Sequence, residues 1–323
     1  MPSLNRARDH ILTRLGMSRT PVSGDDLATE LGLSRAGIWK HIQMLKKTGI
    51  AIEAYPGKGY VLNSEIFSAG LIKAQLSTRR IGKQIVILEE TGSTNQDAMQ
   101  QAEAGAEEGL VIFANRQHRG KGRLGRSWHT VSESLAVSIL LRPDLPPEQV
   151  PQLSLLTAVA LHEVLSRYAP DLRIKWPNDL LHHGKKIAGI LTEMRAEPGR
   201  VHAVVLGFGI NLAAPADGWP AGINKPATDL ATISTAPVSR TALAIAVLKA
   251  LDQWYDICLQ HGFAPVHRAW WQAHAASGAR VSVYDGRQYI EGIATALDDD
   301  GALLLDTGNG IKRIIAGDLE LLS

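Results

Sequence analysis

Apolar residues recur at helical spacing through the first 65 positions. Ile11 and Leu15 lie four apart on one face of an opening helix, and Leu27 and Leu31 repeat that spacing in a second helix. The second helix begins near Ser23 or Asp25 and stops at Gly32, and Ser34 is placed to cap a third in which Ile38, Ile42 and Leu45 share a face. After Gly49, residues 50–55 and 60–62 flank Pro56-Gly57-Lys58-Gly59 as the arms of a hairpin. From 66 to 278 strand-like apolar runs alternate with amphipathic helices, clearest at 152–168 and 238–259, and the Pro- and Gly-rich stretch 215–226 predicts a long loop. From 279 the period becomes two: short strands at Arg280–Tyr284, 288–296, 302–306 and 310–315 are separated by Asp285-Gly286, Asp300-Gly301 and Asn309-Gly310. A small β-barrel is the natural closure. The pattern divides the chain into 1–65, 66–278 and 279–323, with no internal repeat or low-complexity tract.

Composition narrows the class. With 323 residues, 45% hydrophobic and 20% charged, the chain is expected to be an ordinary soluble protein of two or three domains. No run approaches the roughly 18 apolar residues of a membrane span, and the first fifteen residues carry charges where a signal peptide needs an apolar core, so a cytoplasmic location is expected. The single cysteine, Cys258, excludes an internal disulfide and a cysteine-rich zinc site, and its apolar helical context suits a buried, inert thiol. Formal net charge is +2, so any nucleic-acid contact must come from a local patch. Residues 34–48 supply one, with four basic residues and no acidic one. Two short helices joined at Gly32-Leu33, the second basic on its outer side, match a helix-turn-helix with 35–47 as recognition helix. Arg35, Ala36, Lys40, Gln43 and Lys47 are its candidate DNA-facing residues, and Lys58 at the wing tip suits a phosphate or the minor groove. The alternative is a protein-interaction domain with a solvated basic face.

Residues 117–128, Gln-His-Arg-Gly-Lys-Gly-Arg-Leu-Gly-Arg-Ser-Trp, concentrate glycines and cations directly after an apolar run. Glycines admit positive φ and close backbone approach, and Lys121, Arg123 and Arg126 pair with carboxylate or phosphate, so the loop is suited to a small anion. Gly120-x-Gly122-x-x-Gly125 also satisfies a dinucleotide fingerprint, but that fold needs a helix next, and 134–141 reads as a buried strand. A second stretch, 173–191, contains Lys-Trp-Pro-Asn-Asp. A strand enters at Ile174, turns at Pro177-Asn178-Asp179 and returns through 187–193, with Lys186 and Gly189 in or beside the returning strand. An inward lysine there requires an anion; an outward one is ordinary. A third, 90–96, places Ser93, Thr94 and Asn95 before a helix, where they cap it or bind a polar heterocycle. In the fourth, Gly207 and Gly209 interrupt the strand 204–212, marking a bulge or a close approach.

Together, and behind a winged helix, these four motifs resemble the bifunctional biotin protein ligase and biotin-operon repressor family across essentially the whole chain. The resemblance implies an α+β protein: a winged helix-turn-helix, a central ligase domain with a mixed sheet like that of class II aminoacyl-tRNA synthetases, and a C-terminal SH3-like β-barrel. It implies that biotin and ATP form biotinyl-5′-adenylate with release of pyrophosphate, and that biotin then passes to a lysine of a biotin carboxyl carrier protein. By position Ser93, Thr94, Asn95 and Gln117 would hold the ureido ring, Lys121, Gly122 and Arg123 would cover the valerate chain and adenylate, and Lys186 would meet carboxylate and phosphate. Trp219 would stack on adenine, with Asn211 and Arg126 also serving the nucleotide.

The chemistry agrees. Carboxylate attack on an α-phosphate brings two anions together, which Lys186 and Arg123 are suited to neutralise, with Mg²⁺ on the phosphates. Asp179 is a candidate to accept or orient the proton of the acceptor lysine. Two departures are notable: Lys121 stands where arginine is usual, and the tail after Gly317 lacks a basic residue that some relatives carry, so that either Lys312 or Arg313 substitutes or phosphate contact does not need the barrel. His118, His129, His182 and His183 are read as loop residues and no metal site is expected. If adenylate orders the loops at 121–126 and 215–226, it could build a homodimer surface that two operator half-sites require. A ligand-sensing transcription factor without turnover and a lipoate-type ligase stay open as alternatives.

Overall fold

Ser23 and Ser34 each open a helix in the computed structural model, which describes residues 2–126, 128, 134–215, 218–219 and 226–322. Their side chains accept from the amides of Asp25 and Gly37, so Ser34 caps its helix as expected and Ser23, rather than Asp25, is the cap of the second. The helices are α1 (Pro2–Met17), α2 (Gly24–Leu31) and α3 (Arg35–Lys47), and Gly32 ends α2 at φ 63°. Ile11, Leu15, Leu27, Ile38, Ile42 and Leu45 share one core, which leaves the basic side of α3 in solvent. Strands β1 (Ile52–Tyr55) and β2 (Gly59–Leu62) pair as the expected antiparallel wing, with Tyr55 opposite Gly59. Helix α4 (Ala69–Gln75) belongs to the same compact unit, which comprises Met1–Leu76 and Ser239–Ile245. Glu65 fastens the distant segment, since Oε1 accepts from Ser239 Oγ (2.8 Å) and from the Thr241 amide (3.0 Å).

The second unit, Ser77–Val238 with Ala246–Ser323, is built on a seven-stranded mixed sheet. Its strands are β3 (Gln84–Thr91), β4 (Leu110–Gln117), β5 (Ser134–Leu141), β6 (Leu172–Lys175), β7 (Asp179–His182), β8 (Lys185–Glu197) and β9 (Arg200–Asn211), in the order β3-β4-β5-β9-β8-β7-β6. The β3–β4 pair is parallel and the rest are antiparallel. Every residue of β5 is buried, as its unbroken apolar run requires. Helix α5 (Thr94–Glu103) crosses between β3 and β4 and packs on β4, β5 and β9, while α6 (Pro151–Leu165) packs on β6 and β8. Then follow α7 (Leu230–Ile233), α8 (Arg240–His261) and α9 (Ala264–Ala273). Asp252 of α8 is buried, and its carboxylate accepts from the amides of Arg79, Arg80 and Ile81 at 2.7, 2.8 and 2.8 Å.

The stretch 173–191 departs from expectation. It forms two hairpins rather than one, because the Trp176-Pro177-Asn178 turn returns only the four residues of β7 before His183-Gly184 turns the chain again into β8. His183 takes φ 47° at that second turn. Near the C-terminus β10 (Arg280–Tyr284), β11 (Tyr289–Leu297), β12 (Leu303–Asp306), β13 (Ile311–Ile314) and β14 (Asp318–Leu321) make an antiparallel sheet ordered β13-β12-β11-β10-β14, the five strands of the expected SH3-like barrel. The period-2 pattern does not predict the last strand, since Asp-Leu-Glu-Leu is too short to show it. Trp176 Nε1 donates to Gly301 O (3.3 Å), tying this sheet to the central body. Cys258 is a free, buried thiol whose pKa burial pushes up. Among the described residues no helix is long and apolar enough to cross a membrane.

Candidate active site

Parallel pairing of β3 with β4 sets Thr91 opposite Gln117, so two motifs 23 residues apart in sequence meet at one sheet end. The Thr94 amide donates to Gln117 Oε1 at 2.8 Å, with Thr94 Oγ1 3.1 Å from the same oxygen. Ser93 occupies the N-cap position of α5 but makes no capping bond; it is buried and lines a cavity instead. Asn95 is committed inside the protein. Its Nδ2 donates to Glu193 Oε2 (2.7 Å) and Leu191 O (3.2 Å), and its Oδ1 accepts from Ser138 Oγ (2.6 Å). Gly207 lies against this carboxamide, and any Cβ there would overlap it. Gly209 likewise lies against the Trp128 indole. The interrupting glycines therefore mark close approach rather than a bulge, and β9 keeps its register on β8 through both.

The glycine-cation loop makes a single 3₁₀ turn, Arg123–Gly125, closed by Gly122 N–H on Arg126 O (2.7 Å) and by Trp128 N–H on Gly120 O (2.8 Å). Gly125 has φ 71°. A Cβ on Gly120 would come within 2.5 Å of the Trp128 carbonyl. The element that follows at Ser134 is a strand, so the helix required by a dinucleotide fold is missing there. Arg123 is largely buried, its Nη1 3.3 Å from both Asn178 Oδ1 and Gly317 O. Burial pulls its pKa down, against the opposing pull of Asp318 and Asp179. Arg126 is more exposed and pairs with Asp318, a hydrogen bond that raises its pKa. Lys121 is exposed and also lines the cavity.

Lys186, which lines the same cavity, donates through Nζ to Asp179 Oδ1 at 2.6 Å, and Nζ sits 5.4 Å from the Trp128 ring centre. Gly189 leaves room for it, since a Cβ there would lie 2.8 Å from Nζ. The inward reading of Lys186 therefore holds. Asn211 is buried and donates to Thr228 O (2.9 Å), and Trp219 lines the cavity as well. Every candidate ligand residue, from Ser93 to Trp219, thus opens on one cavity of about 660 Å³.

Sequence reasoning missed the contribution of the C-terminal sheet. Tyr284, Tyr289, Asp318 and Glu320 line the same cavity, and only tertiary packing brings them there. Arg313 does not supply the absent tail cation: it is held by Asp298 and Asp300, and neither it nor Lys312 lines the cavity. Both lie on β13, at the other edge of the sheet from β14. The loop at 215–226 falls largely outside the described residues, as does His129. His118 pairs with Glu90 (2.9 Å). His182 ends β7 and His183 stands in the turn that follows, and with Asp171 their ligand-type atoms lie within 4.8 Å of one another. On the first unit Arg35, Ala36, Lys40, Lys47 and Lys58 are exposed and Gln43 is half-buried. Trp39, not singled out from sequence, stands 54% exposed among them.

Comparison with known proteins agrees with this architecture. Residues 87–211 match the biotin/lipoate A/B protein ligase family, 7–61 an HTH domain and 276–322 the biotin protein ligase C-terminal domain. The bifunctional ligase/repressor BirA of Bacillus spizizenii is 37% identical over 307 residues, covering 93% of this chain and 94% of its own. That of Escherichia coli is 32% identical over 316 residues, with 93% of each chain covered. The solved biotin protein ligase of Aquifex aeolicus, in complex with biotin and ATP, superposes with a TM-score of 0.63 at 27% identity, covering 74% of this chain and 99% of that one. With three domain matches in the order of its own elements and end-to-end similarity to two ligase/repressors, the chain belongs to the bifunctional biotin protein ligase and repressor family.

Proposed function

We infer that this protein is an ATP-dependent biotin protein ligase and a biotinyl-adenylate-responsive repressor of biotin synthesis genes. The observation that carries the ligase function is the convergence of Ser93, Thr94 and Gln117 on one cavity that Arg123 and the Lys186–Asp179 pair also line. The first group offers directional hydrogen bonds to a polar ring. The second offers cations where two anions must meet.

In the first half-reaction a biotin carboxylate oxygen attacks the α-phosphorus of ATP, and the bond to the β-phosphate oxygen breaks to release pyrophosphate. Lys186 and Arg123 offset the charge that builds on the non-bridging oxygens, and Mg²⁺ accompanies the leaving phosphates. Trp219, Asn211 and Arg126 serve the nucleotide, with Lys121 and Gly122 over the reacting chain. In the second half-reaction the carrier lysine attacks the biotinyl carbonyl carbon and AMP leaves. Asp179, 2.6 Å from Lys186 Nζ, is placed to orient or accept the proton that the nucleophile must lose.

The first unit supplies operator binding through Arg35, Ala36, Lys40, Gln43, Lys47 and Lys58. The functional modules are 1–65, 66–278 and 279–323. Partners are the biotin carboxyl carrier protein of acetyl-CoA carboxylase, operator DNA and, when adenylate is bound, a second copy of the chain, all in the cytoplasm. The deciding experiment incubates the protein with biotin, MgATP and a biotin carboxyl carrier domain. The expected result is pyrophosphate release with a carrier mass gain of one biotin, both lost in Lys186→Ala. Adenylate-dependent DNA binding without labelling of a competent carrier would replace the ligase by a sensor.

A further inference from the structure

Beneath the part of the cavity lined by Ser93, Thr94 and Gln117 lies a buried hydrogen-bond chain. Asn95 and Thr94 are 5% and 3% exposed and Ser138 is fully buried. Ser138 Oγ lies 2.6 Å from Asn95 Oδ1 and 2.7 Å from Thr94 Oγ1. Thr94 Oγ1 lies in turn 3.1 Å from Gln117 Oε1.

Counting protons gives this chain a direction. Both hydrogens of the Asn95 amide are taken by Glu193 Oε2 and Leu191 O, so its oxygen necessarily faces Ser138 as an acceptor. The one Ser138 proton is directed there. Gln117 Oε1 already accepts from the Thr94 amide and has no proton to give. Whichever neighbour receives the Thr94 hydroxyl proton, Ser138 Oγ or Gln117 Oε1, it is spent inside the protein. Toward a ligand, Thr94 Oγ1 is then left with lone pairs alone. A flipped carboxamide would turn its oxygen toward two acceptors, Glu193 Oε2 and Leu191 O, so the hydrogen bonds themselves hold this orientation.

We propose that Ser138, Asn95 and Glu193 are positioning residues, whose buried chain holds Thr94 as a hydrogen-bond acceptor and so selects a ligand that presents an N–H donor there. This rests on the ligase function above, in which the donor belongs to the cyclic urea of biotin. Asn95 then acts through Thr94 and Ser138 rather than by touching the ring, a different role from the direct contact expected from sequence.

Asn95→Asp tests the chain, because it sets a second carboxylate against Glu193 and removes both amide donors. Adding Glu193→Gln restores a hydrogen bond of reversed polarity between the two side chains, while the carboxylate introduced at position 95 still accepts from Ser138. KM and kcat for biotin in pyrophosphate release, together with the thermal melt, are measured for wild type, N95D, E193Q and the double variant. The expected outcome is a KM for biotin raised at least tenfold in N95D, with kcat changed much less, and lowered at least threefold again in the double variant, in which the bond to Glu193 is replaced and only the bond to Leu191 O stays lost. Ser138→Ala is expected to raise KM in the same direction. A folded N95D with wild-type KM, or a double variant no better than N95D, overturns the proposal. A wild-type protein that releases no pyrophosphate with biotin refutes the ligase function instead. The melts then decide on the chain by themselves: recovery of the N95D melting temperature by E193Q supports it and absence of recovery overturns it.

Discussion

Lys186→Ala separates what this lysine does for the fold from what it does for the reaction. The side chains of Lys186 and Asp179 are 26% and 14% exposed and meet at 2.6 Å, so the pair is partly screened by solvent. Removing the cation leaves Asp179 without that partner, a loss of about 1–3 kcal/mol for a buried group, which the remaining solvent contact brings toward the lower figure. In a unit of this size about 1 kcal/mol lowers the melting temperature by roughly 2–4 °C. The catalytic loss is larger. Withdrawing one preorganised charge from a developing transition state costs about 10²–10³ in rate, or roughly 2.7–4 kcal/mol. Biotin-dependent pyrophosphate release should therefore fall by that factor in a protein that melts only a few degrees early. Lys186→Arg should not restore it, because the planar fork needs space that Gly189 leaves only for an ammonium, its Cβ position being 2.8 Å from Nζ. Activity within fivefold of wild type in the alanine variant would refute the assignment of Lys186 to the reacting phosphate. So would a loss of activity fully accounted for by unfolding at the assay temperature.

Gly209→Ala should raise KM for biotin more than tenfold with a small change in melting, since the added methyl meets the Trp128 indole at the cavity wall; steady-state kinetics on the purified variant check this. Asp252→Asn should destabilise the second unit by on the order of 2–4 kcal/mol, because one neutral amide oxygen replaces a carboxylate that accepts from three backbone amides; urea unfolding reads the change. His274 is buried and neutral, its pKa pushed by burial from 6.5 to about 4. Above pH 6.5 its protonation contributes nothing to stability. As pH falls from 6.5 toward 4 the unfolded chain takes up a proton that the fold refuses, and stability drops by about 1.4 kcal/mol per pH unit. Melts across that range should show a slope that His274→Gln flattens. Lys40→Ala should weaken binding to unrelated DNA duplexes by similar factors and reduce the dependence of log affinity on log salt by about 1, measured by fluorescence anisotropy at several salt concentrations.

Much of the architecture is written in local pattern. The helix starts at Ser23 and Ser34, the stop at Gly32, the wing and the turns at Asp285-Gly286 and Asn309-Gly310 follow from capping and turn chemistry that a few neighbouring residues decide. The four motifs were legible for a related reason. Glycines beside cations, and glycines within an apolar strand, are costly choices unless a ligand or another side chain comes close, and Gly207 and Gly209 have such neighbours. Local pattern could not say that Ser93 would leave its helix uncapped, that Asn95 would be consumed by Ser138 and Glu193, or that Lys186 would face Asp179 across a second hairpin. Nor could it place Tyr284, Asp318 and Glu320 on the cavity or fasten Ser239 to Glu65. Those outcomes depend on strand order and register, which bring together residues tens to hundreds of positions apart. Local pattern thus gives the polar and cationic groups that the four motifs carry, while strand order and register settle which of them open on the cavity and which hydrogen-bond one another.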